Sequence, residues 1–133
     1  VSLPDVMPTL LDMADVPIPD TVEGRSLLPL LRGERPAWRE QLHIEHAPMH
    51  HTLIDGREKY IWFVKDGREQ FFDLVADPTE CHDLAGDSRA ADRIAAWRER
   101  MIAELSDRPE GFSDGRQLVP GVPYAPVFTG PSA

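Results

Sequence analysis

Residues 55–86 read DGREKYIWFVKDGREQFFDLVADPTECHDLAG, and this stretch decides the fold because it contains two strands and the turns that bound them. An Asp-Gly pair stands at 55–56 and again at 66–67. Such pairs predict tight hairpin turns, because glycine adopts the positive φ angles that these turns require. The aromatic and β-branched run 60–64 lies between the turns, and a second apolar run, 70–74, follows them. The stretch therefore predicts two paired antiparallel strands followed by an exit loop.

Four short strands are predicted in all. Their ranges are 41–45, 51–54, 59–64 and 70–74. The connections between them are short, as in an antiparallel meander. In the third strand Tyr60 and Trp62 point to one face, while Ile61 and Phe63 point to the other. An antiparallel strand with one solvated face alternates apolar and polar residues, so we expect this strand to be covered on both faces.

A helix from about residue 89 to residue 105 supplies one of these covers. Asp87 or Ser88 opens it, and its apolar residues follow the spacing of a single helix face. These residues are Ile94, Trp97, Met101 and Leu105. The other face of the sheet must meet the N-terminal loop, the C-terminal tail, another copy or solvent. An uncovered patch that includes Trp and Tyr exceeds what monomers usually expose, so we expect self-association.

The N-terminal third of the chain has a different character. Residues 2–14 predict a short helix with Asp5 as its N-cap and one buried apolar face. That face consists of Val6, Met7, Leu10, Leu11 and Ala14. The proline-rich stretch 15–36 predicts a fixed loop with a brief helical turn at 26–31. Packing of Leu27, Leu28, Leu30 and Leu31 is expected to order this loop.

The C-terminal stretch 106–133 is rich in proline and glycine. Its apolar residues, which include Tyr124, Val127 and Phe128, are too many for a purely solvating segment. We therefore predict an extended tail that wraps over a surface. Together the elements predict an α+β fold, in which a short antiparallel four-stranded sheet is packed by one C-terminal helix.

Charge and composition exclude several functions. The 133 residues carry a formal charge of −9, with 14 basic against 23 acidic side chains, which argues against nucleic-acid binding. No apolar run approaches the roughly 20 residues needed to cross a bilayer. Cys81 is the only cysteine, so an internal disulfide is excluded and the compartment stays open. The chain starts at Val1 without an initiator Met or a signal segment, so we expect the natural N-terminus to lie upstream.

Residues 43–51 read HIEHAPMHH and form the densest cluster of potential functional side chains. Imidazole and carboxylate groups bind transition metals, but strand periodicity divides these side chains between two faces and Pro48 excludes a helix. Three hypotheses stay open: hydrogen-bonded or exposed imidazoles at a strand end, a structural metal site, or a substrate-facing role. Cys81 beside His82 leaves a similar choice between an activated thiol and a packed or idle one.

Three motifs resemble the C-terminal portion of sulfatases. Residues 72–85 carry, in order, Phe-Asp-Leu, Asp-Pro, Glu and Asp-Leu-Ala, which is similar to the signature that closes the sulfatase C-terminal subdomain. Residues 2–14, with Ser, Asp and Pro-Thr-Leu-Leu, are similar to the helix that ends the sulfatase catalytic domain. Residues 23–33, with Gly-Arg-Ser-Leu and Pro-Leu-Leu, are similar to the connector that follows it. Asp15 stands where the pattern usually has Gly.

The resemblance implies a parent enzyme of the alkaline-phosphatase-like superfamily. Such an enzyme hydrolyses sulfate esters with a formylglycine nucleophile and bound calcium. In this interpretation residues 1–36 are the end of the catalytic domain and its connector, 37–105 are the C-terminal sulfatase subdomain, and 106–133 are the extended tail. The chain would then supply scaffold and a wall of the substrate cleft.

We predict no catalytic or metal-binding residue of the family in this chain. The family's nucleophile motif is Cys/Ser-x-Pro-Ser-x-Arg, and neither Cys81 nor any serine matches it. The aspartate pairs that hold calcium are absent as well. We therefore expect no cofactor in this chain and no hydrolysis by this chain alone. The resemblance does imply substrate contact by His46, His50 and His51, because a loop after the first strand reaches the cleft rim in sulfatases.

The expected partners are the missing catalytic domain and, through the parent enzyme, a sulfate ester. Two alternatives stay open. The chain could be the C-terminal part of a related phosphonate-ester or phosphate-ester hydrolase, whose sequence looks alike in this region. It could also be a free-standing acidic α+β interaction module, which predicts a conventional polar face on the sheet.

Overall fold

The computed structural model describes residues 1–47 and 49–123, which belong to two compact units, Val1–Glu40 and Gln41–Ala133. In the first unit the helices are α1 (Val6–Met13) and α2 (Leu28–Leu31). The strands of the second unit are β1 (Leu42–His46), β2 (His50–Ile54), β3 (Glu58–Phe63) and β4 (Glu69–Asp73). They are followed by α3 (Ala91–Leu105). The predicted tail residues 124–133, with Tyr124, Val127 and Phe128, lie outside the described residues.

In the first unit, Asp5 occupies the N-cap position of α1, as predicted, but its carboxylate does not cap that helix. The carboxylate accepts hydrogen bonds from the backbone N of Ser2 at 2.7 Å and of Arg25 at 3.0 Å. Two nitrogens of the Arg39 guanidinium donate to its two oxygens at 2.7 and 2.6 Å. Asp5 is 0% exposed, so it is a buried anion that connects the start of α1 to the connector and to Arg39.

The apolar stripe of α1 faces outward, so the prediction that it is buried was wrong. Val6 and Met7 are each 47% exposed and Leu10 is 59% exposed. The buried residues of α1 are instead Pro8 and Thr9. The reason is that the hydroxyl oxygen of Thr9, like the Asp5 carboxylate, bonds the connector, and this holds the polar side of the helix inward. In the connector, Leu31 is also exposed, at 73%.

Asp15 ends α1 in a left-handed conformation, with φ of 56°. The backbone N of Val16 bonds the carbonyl of Leu11 at 2.9 Å, and the N of Asp15 bonds that of Asp12 at 3.2 Å. This is the Schellman arrangement, in which glycine is preferred.

We expect Asp15→Gly to raise the melting temperature slightly, because glycine removes the steric cost of the positive φ, about 0.5 kcal/mol after its own entropy cost. Thermal unfolding of the two proteins measures this. Asp20→Gly, at a position without positive φ, is the control and should lower the melting temperature. A lower melting temperature for both variants would contradict the prediction.

The four strands form one antiparallel sheet in the order β1-β2-β3-β4 within the described residues. This confirms the predicted meander, and no strand end differs by more than one residue from its predicted position. Gly56 and Gly67 have φ of 87° and 73°, as the two Asp-Gly turn signals require. In the register, Tyr60 lies opposite Leu53 and Phe71.

Helix α3 covers one face of the sheet, as predicted. The Asp87 carboxylate accepts the backbone N–H of Arg89 at 2.9 Å and opens a 3-10 turn, Ser88–Ala90, that leads into the helix. The predicted stripe is buried: Ile94, Trp97, Met101 and Leu105. It packs with Leu53, Tyr60, Trp62 and Phe71 of the sheet and with Phe112 from the segment after α3. These side chains form the core of the second unit.

Tyr60 and Trp62 lie beneath α3, at 0% and 2% exposure, so they do not form the uncovered patch expected from the sequence. On the opposite face Ile61 and Phe72 are buried, whereas Ile44 is 51% exposed. Self-association stays a prediction. Across residues 1–47 and 49–123, no helix is both long and apolar enough to span a membrane.

Candidate functional site

The histidine-rich stretch lies at the end of the sheet where the β1–β2 hairpin turns. His46 pairs with His50, and Glu45 pairs with His51, across this hairpin. Side chains alternate along a strand, so His46 and His50 lie on one face and Glu45 and His51 on the other. The structure therefore brings together two of the three histidines predicted to contact substrate and separates the third from them.

His51 lies on the face covered by α3 and is 2% exposed. Its Nδ1 atom is 3.0 Å from Nε2 of His43, and Nδ1 of His43 is 3.2 Å from a carboxylate oxygen of Glu104. Nδ1 of His43 must donate to the carboxylate, so in the neutral pair Nδ1 of His51 donates to Nε2 of His43. The His51 ring packs 6.2 Å from the Trp62 ring and 5.1 Å from the Phe112 ring. One carboxylate and two imidazoles thus form a chain that runs from the exposed Glu104 through the partly buried His43 to the buried His51.

Both imidazoles of this chain have lowered pKa values. Burial lowers the pKa of His51 to about 4, and the charge of His43 acts in the same direction. Burial also lowers the pKa of His43, although the Glu104 carboxylate opposes it. Both side chains are therefore neutral at pH 7 and offer no positive charge to a sulfate. Substrate contact by His51 stays a prediction, and it would require this part of the core to open.

His46 and His50 form an edge-to-face pair on the other face, with ring centroids 5.1 Å apart. The next ring in the same row is Phe63, 5.4 Å from His50. His46 is exposed and His50 half-buried, and Nδ1 of His50 is buried without a hydrogen-bond partner among the described residues. Burial lowers the pKa of His50, and His46 adds to the effect. A ligand would therefore meet the exposed His46 first and a neutral imidazole beside it.

Charged groups on the α3-covered face join the helix to the sheet. The Arg98 guanidinium donates two hydrogen bonds of 2.6 Å to Glu69, which also accepts the Tyr60 hydroxyl at 2.5 Å. Burial and then the Glu69 carboxylate raise the pKa of Tyr60, so its hydroxyl stays protonated and acts as a donor. Arg93 donates to Glu58 at 2.6 Å. Each of these charges has a partner within the fold, so they stabilise it and remain unavailable for acid–base chemistry.

Within residues 1–47 and 49–123, no group of three or more His, Cys, Asp or Glu side chains could hold a metal ion. The thiol of Cys81 is exposed. Its sulfur lies 3.4 Å from the Thr79 hydroxyl, whereas the ring of His82 faces the Asp77 carboxylate at 3.3 Å. The two neighbours in sequence therefore have different partners, and the geometry of a nucleophile with its base is not formed.

Sequence reasoning missed Glu104, which contacts His43, and Arg68, which lies against Phe63 next to His50. Glu104 lies next to Leu105 of the apolar stripe, so its place at the edge of that stripe was visible from helical spacing. Its contact with His43 depends on how α3 lies over β1, which spacing does not give. Arg68 places its guanidinium 3.7 Å from the centroid of the Phe63 ring. The predicted hairpin already put Arg68 opposite the end of the third strand.

The described fold, a four-stranded antiparallel sheet packed by one helix, is that of the C-terminal subdomain of sulfatases, which belong to the alkaline-phosphatase-like superfamily. More specifically, the chain belongs to the family described as N-sulphoglucosamine sulphohydrolase, C-terminal, whose family model matches residues 1–107. It is a sulfatase C-terminal domain, which confirms the resemblance found in the sequence.

Among the similar proteins is an arylsulfatase from Clostridium perfringens, which is 40% identical over 128 residues. The match covers 94% of this chain and 27% of that protein, so the chain spans about a quarter of its relative's length. The solved structure of BT4656 in complex with its substrate D-glucosamine-2-N,6-O-disulfate is 28% identical, with a TM-score of 0.63. That match covers 79% of this chain and 24% of the other.

A phosphonate monoester hydrolase, SpPMH from Silicibacter pomeroyi, is similar too. It is 29% identical with a TM-score of 0.61, and the match covers 76% of this chain and 24% of that one. Sulfatases and phosphonate monoester hydrolases therefore share this subdomain, and its fold alone does not separate the two activities.

Proposed function

We propose that this chain is the C-terminal subdomain of an enzyme that hydrolyses sulfate esters, and that it supplies scaffold and a wall of the substrate cleft. The observation that carries the proposal is the match with an arylsulfatase, which extends over 94% of the chain but only 27% of that protein. The proposal places the catalytic centre outside this chain, in the part of the parent enzyme that corresponds to the unmatched part of the relative.

The exposed stripe of α1 supports a partner for the first unit. Met7 and Leu10 are half exposed, and Leu3, just before the helix, is 84% exposed. Apolar side chains gathered on one face of a helix are usually covered by another surface. We propose the catalytic domain of the parent enzyme as that surface. A free-standing acidic module would leave this stripe in water, and the stripe therefore argues against that alternative.

Calcium and formylglycine are proposed for the parent enzyme and not for this chain. The described residues fit neither group, because they contain no cluster that could hold a metal ion and the sequence lacks the nucleophile motif. The chain's own contribution is the wall of the cleft. We propose that His46 and His50 face the substrate there, since they share the face that α3 leaves open, while His51 packs behind them.

The isolated chain is expected to release no sulfate from 4-nitrophenyl sulfate above buffer background, because its sequence lacks the nucleophile motif and residues 1–47 and 49–123 contain no metal site. The full-length parent should hydrolyse the same ester. Both proteins are purified from a host that lacks sulfatases and assayed for 4-nitrophenol. Turnover by the isolated chain that is abolished by a chelator would overturn the proposal.

The similarity to a phosphonate monoester hydrolase makes that activity the second candidate. The same preparation of the parent enzyme separates the two candidates. We expect its kcat/KM for 4-nitrophenyl sulfate to exceed that for a 4-nitrophenyl phosphonate monoester. A parent that cleaves only the phosphonate would refute the sulfatase proposal and leave the role of this chain as a cleft wall unchanged.

A further inference from the structure

The open face of the sheet carries a continuous row of side chains at its hairpin end. His46, His50 and Phe63 lie opposite one another in the register of β1, β2 and β3. The backbone N of Phe63 donates to the carbonyl of Arg68 at 2.8 Å. This bond extends the row to Arg68, which directly precedes β4. We call these four residues the histidine corner.

Arg68 is held in place by an aromatic ring instead of an acid. Its guanidinium carbon is 3.7 Å from the Phe63 centroid, and no described carboxylate lies within ion-pair distance of it. The carboxylate of Asp66, in the same turn, bonds the backbone N of Arg68. A guanidinium stacked on a ring keeps the N–H groups at its edge free to donate. The corner thus presents a preformed cation on a chain whose net charge is −9.

The imidazoles extend the corner from this cation with hydrogen-bonding rings. His46 is exposed, and His50 lies between it and Phe63, with centroid separations of 5.1 and 5.4 Å. The guanidinium and the His46 imidazole are thus separated by two rings. A ligand that contacts both groups has to be longer than one small anion, and a sugar with two anionic substituents meets that requirement.

We propose that the histidine corner is a recognition subsite for an anionic substituent of the substrate, a sulfate or carboxylate distinct from the ester that is cleaved. Arg68 binds that substituent and His46 binds a second polar or anionic group of the same molecule. Arg68 is then a specificity-determining residue, and the enzyme prefers saccharides with two anionic groups over esters with one. This inference rests on the sulfatase proposal for the nature of the ligand.

The chain contains its own matched control for Arg68. The sequence Asp-Gly-Arg-Glu occurs in both hairpin turns, at 55–58 and at 66–69. Arg57 is exposed and has no described ion pair, like Arg68, but it lies in the β2–β3 turn at the other end of the sheet. Arg57→Gln therefore removes the same charge from the same local sequence without touching the corner.

The test is an NMR titration of the chain at constant ionic strength with three probes: inorganic sulfate, D-glucosamine-2-N,6-O-disulfate and acetate. We expect the disulfated sugar to shift the ring signals of His46 and His50 and to bind more tightly than either small anion. Arg68→Gln should weaken its binding about fivefold, because one charge-assisted contact is lost. Arg57→Gln should change it by less than twofold, and Arg68→Lys should fall between.

Three results would overturn the proposal. Equal losses from Arg57→Gln and Arg68→Gln would show unspecific attraction to positive charge. Acetate binding as tightly as the disulfated sugar would show that the corner binds single anions and does not select ligands with two anionic groups. Unshifted histidine signals would show that the corner binds none of the probes.

Folding and function are controlled separately. Arg68 is exposed and its hairpin bonds come from the backbone, so the amide spectrum of Arg68→Gln should match the wild type outside the corner. The titration uses no catalysis. A parent enzyme without sulfatase activity would therefore refute the proposed function while the anion-binding result stands on its own.

Discussion

Asp5→Asn is expected to lower the free energy of opening of the first unit by about 3 kcal/mol, because it leaves the Arg39 guanidinium as an unpaired charge in a partly buried site. Asp5 is 0% exposed, and the side chain of Arg39 is 18% exposed. The two form paired hydrogen bonds of 2.7 and 2.6 Å. Hydrogen exchange at the amide of Arg25, which bonds the same carboxylate, measures the opening.

Two further variants make this test specific. Asp12→Asn is the matched control, because Asp12 lies on the same helix and accepts a hydrogen bond from Ser26 at an exposed position. It should cost less than about 0.5 kcal/mol. The double variant Asp5→Asn with Arg39→Gln should recover part of the loss, since no unpaired charge is left. Equal effects of Asp5→Asn and Asp12→Asn would contradict the buried-pair explanation.

The pH dependence follows from the same contacts. Hydrogen bonds from Arg39, and further ones from the backbone of Arg25 and Ser2, hold the pKa of the Asp5 carboxyl well below its usual range. The folded state keeps Asp5 ionised where the unfolded state binds a proton. The contribution of Asp5 to the stability of the first unit is therefore complete above the unfolded pKa of about 3.9, and it is lost as the pH falls below that value.

The sheet was predictable because its signals are local. Asp-Gly turns at 55–56 and 66–67 set the hairpin ends, and alternation within the run 60–64 set the faces. The stripe of α3 was found by its spacing alone. Each of these signals spans fewer than about 20 residues, and the structure confirms the elements they predict.

The roles of Asp5 and His51 were not predictable in the same way, because both depend on contacts between distant segments. Local reasoning placed Asp5 at a helix cap. Its carboxylate instead accepts hydrogen bonds from Arg25 and Arg39, which lie 20 and 34 residues away in sequence. Strand periodicity separated Glu45 from His46 correctly, but it did not show that Phe112 covers the His51 ring.

The outward stripe of α1 was mispredicted for a different physical reason. Spacing identifies which side of a helix is apolar, and it does not show whether the covering surface belongs to the same segment. Here the polar side, with Thr9, is held inward by hydrogen bonds to the connector. This chain spans about a quarter of its relative's length. In such a chain an apolar helix face can indicate an interface with another part of the protein instead of an internal core.

The second large effect concerns His51, whose burial makes the second unit sensitive to mild acid. Its pKa falls to about 4 in the folded state, against about 6.5 in an unfolded chain. Because the unfolded state binds the proton more readily, this stabilising contribution is complete above pH 6.5 and is lost as the pH falls toward 4. Between pH 7.5 and 5 the loss from His51 alone is about 2 kcal/mol.

The surroundings of His51 determine which variant tests this. His43 from β1 and Arg108 after α3 disfavour the extra charge, while Glu45 and Glu110 favour it. The net direction is set by burial, so an uncharged replacement of similar size should remove the contribution of His51 to the pH response without removing the packing. His51→Gln meets this requirement, because an amide N–H donates to Nε2 of His43 as the imidazole does.

The measurement is urea unfolding, followed at residues of the second unit, at pH 7.5, 6 and 5. The wild type should lose stability as the pH falls, and His51→Gln should lose about 2 kcal/mol less over the same range. This window lies above the titration of unfolded Asp and Glu, so the carboxylates contribute little to the difference. His82→Gln is the control, since the side chain of His82 is 80% exposed, and its pH profile should match the wild type. If His51→Gln and His82→Gln gave the same profile, the acid sensitivity would have to come from groups other than His51.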